Sequence, residues 1–280
     1  MRAKFLVKLA AISVVAAGST AEAGNVDVAI VFAVDVSASV GPAAAYMQRE
    51  GHAEALSSPE TMAAIEINPI GCIAVTYFEW SGPGELRTIV PWSTICNAGD
   101  AEPIAAEIRK NGSQGMGCEQ KCSTSISFAL DAARIILDRY TGTAPRKVID
   151  ISANGTNNDG LSVEVSRQEV VDQGHTINAI AIPERTYGVK EDLFGYFAEK
   201  VIGGPGAFVI EPTGLEDYGT ALRRKLVLEI ADAHDAMGEA RLSYRLRRGG
   251  VGRRQTYSRT PMLVAKARYR PVTPRNRARG

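Results

Sequence analysis

The stretch Val28-Ala-Ile-Val-Phe-Ala-Val-Asp35-Val-Ser37-Ala-Ser39-Val-Gly41 decides the fold of this chain. It begins as an uninterrupted apolar run, which is typical of a strand buried on both faces at the centre of a mostly parallel sheet. The run then changes to Asp-x-Ser-x-Ser and a Gly-Pro pair, where a helical pattern starts. Three oxygen-bearing side chains therefore follow the carboxyl end of a central strand, which is where open α/β sheets bind ligands.

Strands alternate with helices along the rest of the chain. After the first strand, the patterns predict strands at 72–80, 86–95, 147–152, 176–182 and 207–210, and helices at 42–56, 60–67, 101–110, 126–140, 161–173, 191–201 and 215–237. The turn Ser81-Gly-Pro-Gly84 joins the second and third strands as a hairpin. The sequence therefore predicts an α/β fold: a doubly wound, mostly parallel sheet with one antiparallel hairpin edge strand and helices on both faces.

The N-terminus has the three parts of a secretory signal peptide. Basic residues precede a short apolar run, Leu9 to Ala17, and Ala21-Glu22-Ala23 is a small-x-small cleavage site. The apolar run is too short to span a bilayer. We therefore expect residues 1–23 to be removed and the mature protein to be periplasmic or secreted, with no transmembrane segment after cleavage.

One domain is predicted over residues 24–240, followed by a basic, mobile tail over 241–280. The chain carries 32 Lys or Arg and 31 Asp or Glu, but the tail holds thirteen of the basic residues and no acidic one. The domain itself is therefore acidic. Three interpretations of the tail stay open: it is solvated without a role, it contacts the acidic domain of its own or another copy, or it binds a polyanion.

If the protein is exported, its four cysteines are in an oxidising compartment and are expected to form disulfides. Cys72 and Cys96 lie nearly opposite each other if strands 72–80 and 86–95 form a hairpin. Cys118 and Cys122 flank a Glu-Gln-Lys loop. We predict the bridges 72–96 and 118–122, although four cysteines allow three pairings. A zinc site is the alternative, but no His sits at ligand spacing.

Two later loops place polar side chains at the same predicted edge of the sheet as the first loop. One starts the helix 126–140, and the other follows the strand 147–152. Hydroxyl, carboxylate and amide oxygens suit Mg²⁺ and Mn²⁺. The three loops together carry Asp35, Ser37 and Ser39, then Ser123 and Thr124, and then Asn154.

With these residues the sequence resembles the von Willebrand factor A superfamily, and within it an uncharacterised family of exported bacterial proteins (a domain of unknown function). The resemblance covers about residues 26–231. It includes Phe78-Glu-Trp-Ser-Gly-Pro-Gly84, Val90-Pro-Trp92, Val148-Ile-Asp-Ile-Ser152, Val201-Ile-Gly-Gly-Pro-Gly-Ala-Phe208 and Arg224-Lys-Leu-Val-Leu-Glu-Ile-Ala231. It implies a Rossmann-type fold and a non-enzymatic role in protein binding, as an adhesion or scaffold module.

The resemblance also implies a metal-ion-dependent adhesion site, in which a carboxylate of a protein partner completes the shell of the metal. The superfamily uses Asp-x-Ser-x-Ser, a Thr and a second Asp; Asp35, Ser37, Ser39 and Thr124 match the first two parts, while Asn154 stands where the second Asp is expected. An amide oxygen can accept a hydrogen bond from a metal-bound water but supplies no charge. We expect weaker cation affinity, or no bound metal in the isolated protein, and a cation more electrophilic toward the partner's carboxylate.

Two alternatives stay open. Haloacid-dehalogenase-like phosphatases place a nucleophilic Asp at the end of the first strand, as Asp35 is placed. Their general-acid Asp two residues later is Ser37 here, and their loop Asp is Asn154, so we predict that the chain is not an enzyme. The other alternative is a metal-free structural scaffold built on the same loops.

Overall fold

The structure, a computed structural model, describes residues 24–115, 122–183, 185–186, 189–190 and 192–231. The predicted signal peptide and the predicted basic tail both lie outside these ranges and stay predictions. No helix of the described ranges is long and apolar enough to cross a membrane.

A six-stranded sheet forms the centre of the domain. Its strands are β1 (Val28–Asp35), β2 (Ile73–Trp80), β3 (Leu86–Ile95), β4 (Arg146–Ala153), β5 (Thr176–Ala181) and β8 (Val209–Ile210). Their order is β3-β2-β1-β4-β5-β8, and β2 and β3 are antiparallel whereas all other neighbours are parallel. The predicted fold class is therefore confirmed. A separate two-stranded hairpin, β6 (Arg185–Thr186) with β7 (Val189–Lys190), was not predicted from the sequence.

Helices cover both faces of this sheet. They are α1 (Pro42–Ser57), α2 (Pro59–Glu66), α3 (Ala98–Asn111), α4 (Ile126–Asp138), α5 (Val163–Asp172), α6 (Leu193–Tyr196) and α7 (Tyr218–Ile230). Apolar side chains of α1, α2, α3 and α7 pack with the sheet in one core. Those of α4, α5 and α6 pack in a second core on the opposite face.

Strand β1 explains why its apolar run does not alternate. All eight of its residues are buried. Successive side chains of a strand point to opposite faces, and here Ala29 and Val31 join one core while Ile30 and Phe32 join the other. Because β1 lies between β2 and β4, neither its faces nor its edges meet solvent.

The predicted ends of the strands and helices differ most from the structure near the end of the domain. Strand β8 has two residues rather than four, because the segment before it turns through Gly204 and Gly206, both with positive φ. A Cβ on Gly204 would lie 2.2 Å from the carbonyl oxygen of His175, so only glycine lets the two backbones approach here. The predicted helix 191–201 divides into α6 and a π-helical turn, Phe197–Val201, and the predicted helix 215–237 begins with a 3₁₀ turn, Leu215–Asp217.

The two edges of the sheet differ. Strand β3 is ten residues long, contains Pro91, and pairs with β2 through two register irregularities. Strand β8 forms the other edge with its two residues.

The predicted Cys72–Cys96 disulfide is present. Ile73 and Ile95 are cross-strand partners, so the bridge closes the open end of the β2–β3 hairpin. Cys122 is also disulfide-bonded. Its predicted partner, Cys118, lies outside the described residues, so that pairing stays a prediction.

Candidate functional site

Four of the five predicted ligands are joined by hydrogen bonds at the carboxyl ends of β1 and β4. Thr124 Oγ1 donates to Ser37 Oγ at 3.0 Å. Ser37 Oγ lies 3.3 Å from Ser39 Oγ, which donates to Asn154 Oδ1 at 2.9 Å. We call this series the oxygen chain: Thr124, Ser37, Ser39 and Asn154. It brings together three loops that are far apart in sequence.

Asp35 lies beneath the oxygen chain. It is the last residue of β1, and its Oδ1 accepts a hydrogen bond from the backbone N–H of Ser37 at 2.7 Å. This is an Asx-type turn, which bends the chain directly after the strand. Asp35 and Ser37 are fully buried, whereas Ser39 is exposed at the rim. Pro42 then starts α1, because its fixed φ suits the first helical turn.

The Thr124 loop is held by asparagines that sequence reasoning did not single out. The backbone N–H of Thr124 donates to Asn158 Oδ1 at 2.8 Å, and its carbonyl accepts from the Asn158 N–H at 2.9 Å. Asn157 Oδ1 accepts from the N–H of Ser127 at 2.9 Å. The only sequence signal was the polar run after Asn154. These bonds fix the helix start that carries Thr124 onto the Asn154 loop.

Gln48 of α1 lies behind the site and was also missed. Its Nε2 donates to the backbone carbonyl of Asp35 at 3.0 Å, and its Oε1 accepts from Ser152 Oγ at 2.7 Å. Ser152 Oγ lies 2.9 Å from the hydroxyl of Tyr218. From the sequence alone, Gln48 is an ordinary residue of an Ala-rich helix.

The oxygen chain offers hydroxyl and amide oxygens, which a small hard cation accepts as ligands. The described residues contain no group of three or more His, Cys, Asp or Glu that could hold a metal. A cation here would bind hydroxyl and amide oxygens, with Asp35 as the candidate carboxylate.

A buried ionic cluster lies between α7 and strands β4 and β5, on the face of the sheet that α1 also covers. Lys225 Nζ is 2.6 Å from Asp150 Oδ1 and 2.5 Å from Glu229 Oε1, and all three side chains are buried. Asn178 Nδ2 donates to Glu229 Oε1 at 2.9 Å. Burial and the nearby Asp150 raise the pKa of Glu229 to about 8. The cluster fixes α7 against the sheet.

The two described histidines do not form a nucleophile–base pair with the site serines. His52 is buried between Phe32 and Tyr77, its Nδ1 lies 2.7 Å from the carbonyl of Gln48, and burial lowers its pKa to about 4. His175 directly precedes β5, so it lies at the amino end of that strand, whereas the candidate site lies at the carboxyl ends of the parallel strands. His234 lies outside the described residues.

The sequence profile of a family described as "Protein of unknown function (DUF1194)" matches residues 25–234. The chain belongs to this family. The DUF1194 match thus covers the whole described domain and ends before the basic tail. No functionally curated protein matches the sequence.

Solved structures show which fold this DUF1194 protein has. A von Willebrand factor type A protein from Catenulispora acidiphila superposes with a TM-score of 0.52 at 12% identity, over 74% of this chain and 43% of that one. The pilus adhesin SpaC from Lactobacillus rhamnosus GG superposes with a TM-score of 0.51 at 14% identity, over 73% of this chain and 31% of that one. Proximal thread matrix protein 1 from the mussel byssus, "with zinc occupied MIDAS motif", superposes with a TM-score of 0.50 at 18% identity, over 75% of this chain and 49% of that one.

The DUF1194 protein therefore has a von Willebrand factor A-like fold, as its sequence predicts. It spans less than half the length of each of these chains. At these identities the similarity establishes the fold alone.

Proposed function

We propose that this DUF1194 protein is an exported protein-binding module, of the adhesion or scaffold type, with a divalent-cation site at its strand ends. The observation that carries the proposal is the convergence of Ser37, Ser39, Thr124 and Asn154, whose side-chain oxygens form the oxygen chain at the carboxyl ends of β1 and β4. Such oxygens are the ligand type that Mg²⁺ and Mn²⁺ prefer. The N-terminal signal-peptide pattern supports export to the periplasm or beyond.

Ser37, Ser39 and Thr124 would hold the cation by their hydroxyl oxygens, with the carboxylate of Asp35 beneath them. Asn154 would contribute its amide oxygen. The bound cation would supply an electrophilic position for an acidic group of a partner. Proximal thread matrix protein 1, which shares the fold, is described "with zinc occupied MIDAS motif", and this supports a cation site in a protein of this fold.

The partner would be a protein that offers an Asp or Glu carboxylate. Ser39 is exposed at the rim, so a partner side chain can reach this end of the oxygen chain. Asp35 supplies one negative charge against the two positive charges of the cation, so the site retains a positive charge that favours an incoming carboxylate. The adhesin SpaC shares the fold, which is consistent with a binding role.

The basic tail supports a second contact. Its thirteen Arg or Lys residues favour an anionic surface, either the acidic domain of this or another copy or a polyanion. Truncation after Glu239, followed by measurement of self-association and polyanion binding at several salt concentrations, tests this. Unchanged behaviour would favour a solvated tail without a role.

Calorimetric titration with Mg²⁺ and Mn²⁺ tests the site itself. We expect the protein without residues 1–23 to bind one cation, and the variant Ser37→Ala, Thr124→Ala to bind at least tenfold more weakly, since it loses two ligands. Ser93→Ala is the matched control, because Ser93 lies on β3 and its hydroxyl bonds only locally, to the carbonyl of Pro91. No binding at millimolar metal, with or without a carboxylate ligand, would refute the proposal.

A metal-free scaffold is the second candidate. The hydroxyl groups of the oxygen chain already hydrogen-bond to one another and to Asn154, so the loops are held together by the protein's own groups. The same titration separates the two functions.

A further inference from the structure

Gln48 joins the two strand ends from which the site's loops depart. Its amide donates to the carbonyl of Asp35 on β1 and accepts from the hydroxyl of Ser152 on β4. The side chain is 2% exposed, and both partners are fully buried. A buried amide is favourable only when its donor and acceptor are both satisfied, and here one side chain satisfies both across two strands.

This link occupies a particular place in the sheet. The paired register of β1 and β4 ends at Val34 and Ser152. Beyond that pair, the two chains separate into loop 36–41, with Ser37 and Ser39, and loop 154–160, with Asn154. Gln48 links Ser152 of this last pair to Asp35, the next residue of β1. Nearer the surface, the hydrogen bond from Ser39 to Asn154 links the two loops a second time.

We propose that Gln48 is a positioning residue that sets the separation of loops 36–41 and 154–160. The separation of Ser39 and Asn154, and so the spacing of the oxygen chain, depends on it. Tyr218 supports the link, because its hydroxyl lies 2.9 Å from Ser152 Oγ and limits the rotamers of that serine. The consequence for cation affinity rests on the proposed function, whereas the positioning of the loops does not.

Magnesium makes this separation important. It demands near-ideal octahedral geometry, so a small change in the distance between two ligand loops weakens its binding. The amide of Gln48 bonds to the backbone carbonyl of Asp35 and to the hydroxyl of Ser152, and neither atom is a candidate ligand. Its effect would therefore pass through the backbone of Asp35 and the end of β4.

The variant Gln48→Met tests the proposal, because it keeps the length of the side chain and removes both hydrogen bonds. Thr76→Val is the matched control: Thr76 is also buried, and the variant loses one buried hydrogen bond, to the carbonyl of Val90, in another part of the sheet. Ser152→Ala is a second variant that removes the same link from the β4 side and serves if Gln48→Met does not fold.

Amide hydrogen exchange in the presence of a chelator is the first measurement, because it needs no metal. Amides of both loops are protected by hydrogen bonds, such as Ala38 N–H to the carbonyl of Cys122 and Asn158 N–H to the carbonyl of Thr124. We expect exchange in both loops to rise roughly three- to tenfold in Gln48→Met and to stay at the wild-type rate in Thr76→Val. Unchanged exchange, or a rise in one loop alone, would overturn the proposal.

Titration with Mn²⁺ is the second measurement. We expect Gln48→Met to bind about tenfold more weakly than wild type, and Thr76→Val to bind as wild type does even if it unfolds more easily. Equal affinity of wild type and Gln48→Met would overturn the link between Gln48 and the cation. If wild type binds no Mn²⁺, the proposed function fails, and the exchange measurement alone decides the role of Gln48.

Discussion

Ser39 Oγ donates a hydrogen bond of 2.9 Å to Asn154 Oδ1, across 115 residues of sequence. The acceptor is an amide at the position where the superfamily pattern has a carboxylate. The bond shows that the side-chain oxygen of Asn154 points toward the serines of loop 36–41. What this position lacks is charge, since its oxygen is already in place.

Asn154→Asp should therefore raise the affinity for Mg²⁺ at least tenfold, because it adds a charge without moving the acceptor oxygen. In the absence of metal the new carboxylate should destabilise the protein through repulsion from Asp35. Titration with Mg²⁺ and thermal denaturation with and without Mg²⁺ measure the two effects. Asn25→Asp is the control, since it adds the same charge at an exposed position before β1, at the opposite end of that strand from Asp35. An equal gain in both variants would show that general charge is responsible.

Lys225→Met should destabilise the domain by about 3–5 kcal/mol, because it leaves Asp150 buried without its cation and removes the hydrogen-bond partner of Glu229. Urea denaturation followed by circular dichroism measures the loss. Lys200→Met is the control: Lys200 pairs with Glu164 at the surface, and its loss should change stability little. Similar losses in both variants would mean that the buried cluster contributes no more than a surface pair.

Glu229 should make the domain less stable as the pH rises. Its pKa is about 8 in the folded protein and 4.5 ordinarily, so the folded state holds a proton that the unfolded state releases between these values. Its contribution is present below pH 4.5 and is lost as the pH rises toward 8. The difference in stability between Glu229→Gln and wild type should therefore grow in favour of the variant from pH 5 to pH 8. Urea denaturation across this range measures it, and a constant difference would contradict the prediction.

His52 should act in the opposite direction. Burial lowers its pKa from 6.5 to about 4, so the unfolded state binds a proton that the folded state does not. Stability should fall as the pH decreases from 6.5 to 4. His52→Phe should flatten this part of the profile, and a slope identical to that of wild type would show that other groups cause it.

Removal of the hairpin disulfide by Cys72→Ala with Cys96→Ala should cost about 2–4 kcal/mol, because the bridge closes a loop over a sequence separation of 24. Denaturation under oxidising conditions measures the loss. A reducing agent should then lower the melting temperature of wild type by more than that of the variant. An equal shift in both would assign the stabilisation to the disulfide of Cys122.

The central strand and the convergence of the candidate residues could be predicted because most of their signals are local. An unbroken apolar run followed by Asp-x-Ser-x-Ser determines a buried strand and a polar loop, and parallel strands bring successive loops to one edge. Asn154 followed from the same rule, whereas Thr124 came from its place at a helix start and from the resemblance to the superfamily. The disulfide followed from the hairpin, because its turn fixes which residues face each other.

Gln48 and Lys225 could not be predicted, because their roles depend on tertiary packing. A Lys and a Glu four residues apart on a helix usually form a solvent-exposed pair. Here Lys225 and Glu229 are buried because α7 lies against β4 and β5, where Asp150 and Asn178 supply polar partners. Nothing in the local sequence distinguishes this arrangement from a surface pair.

The unequal edges of the sheet limit how this domain can assemble. An exposed strand edge can recruit a strand from another chain, and such growth leads to fibres. Strand β8 offers two residues for that purpose, and β3 contains Pro91 and an irregular register. Lateral polymerisation by strand addition is therefore disfavoured at both edges. A crowded population of this domain therefore has little tendency to grow into fibres through the edges of its sheet.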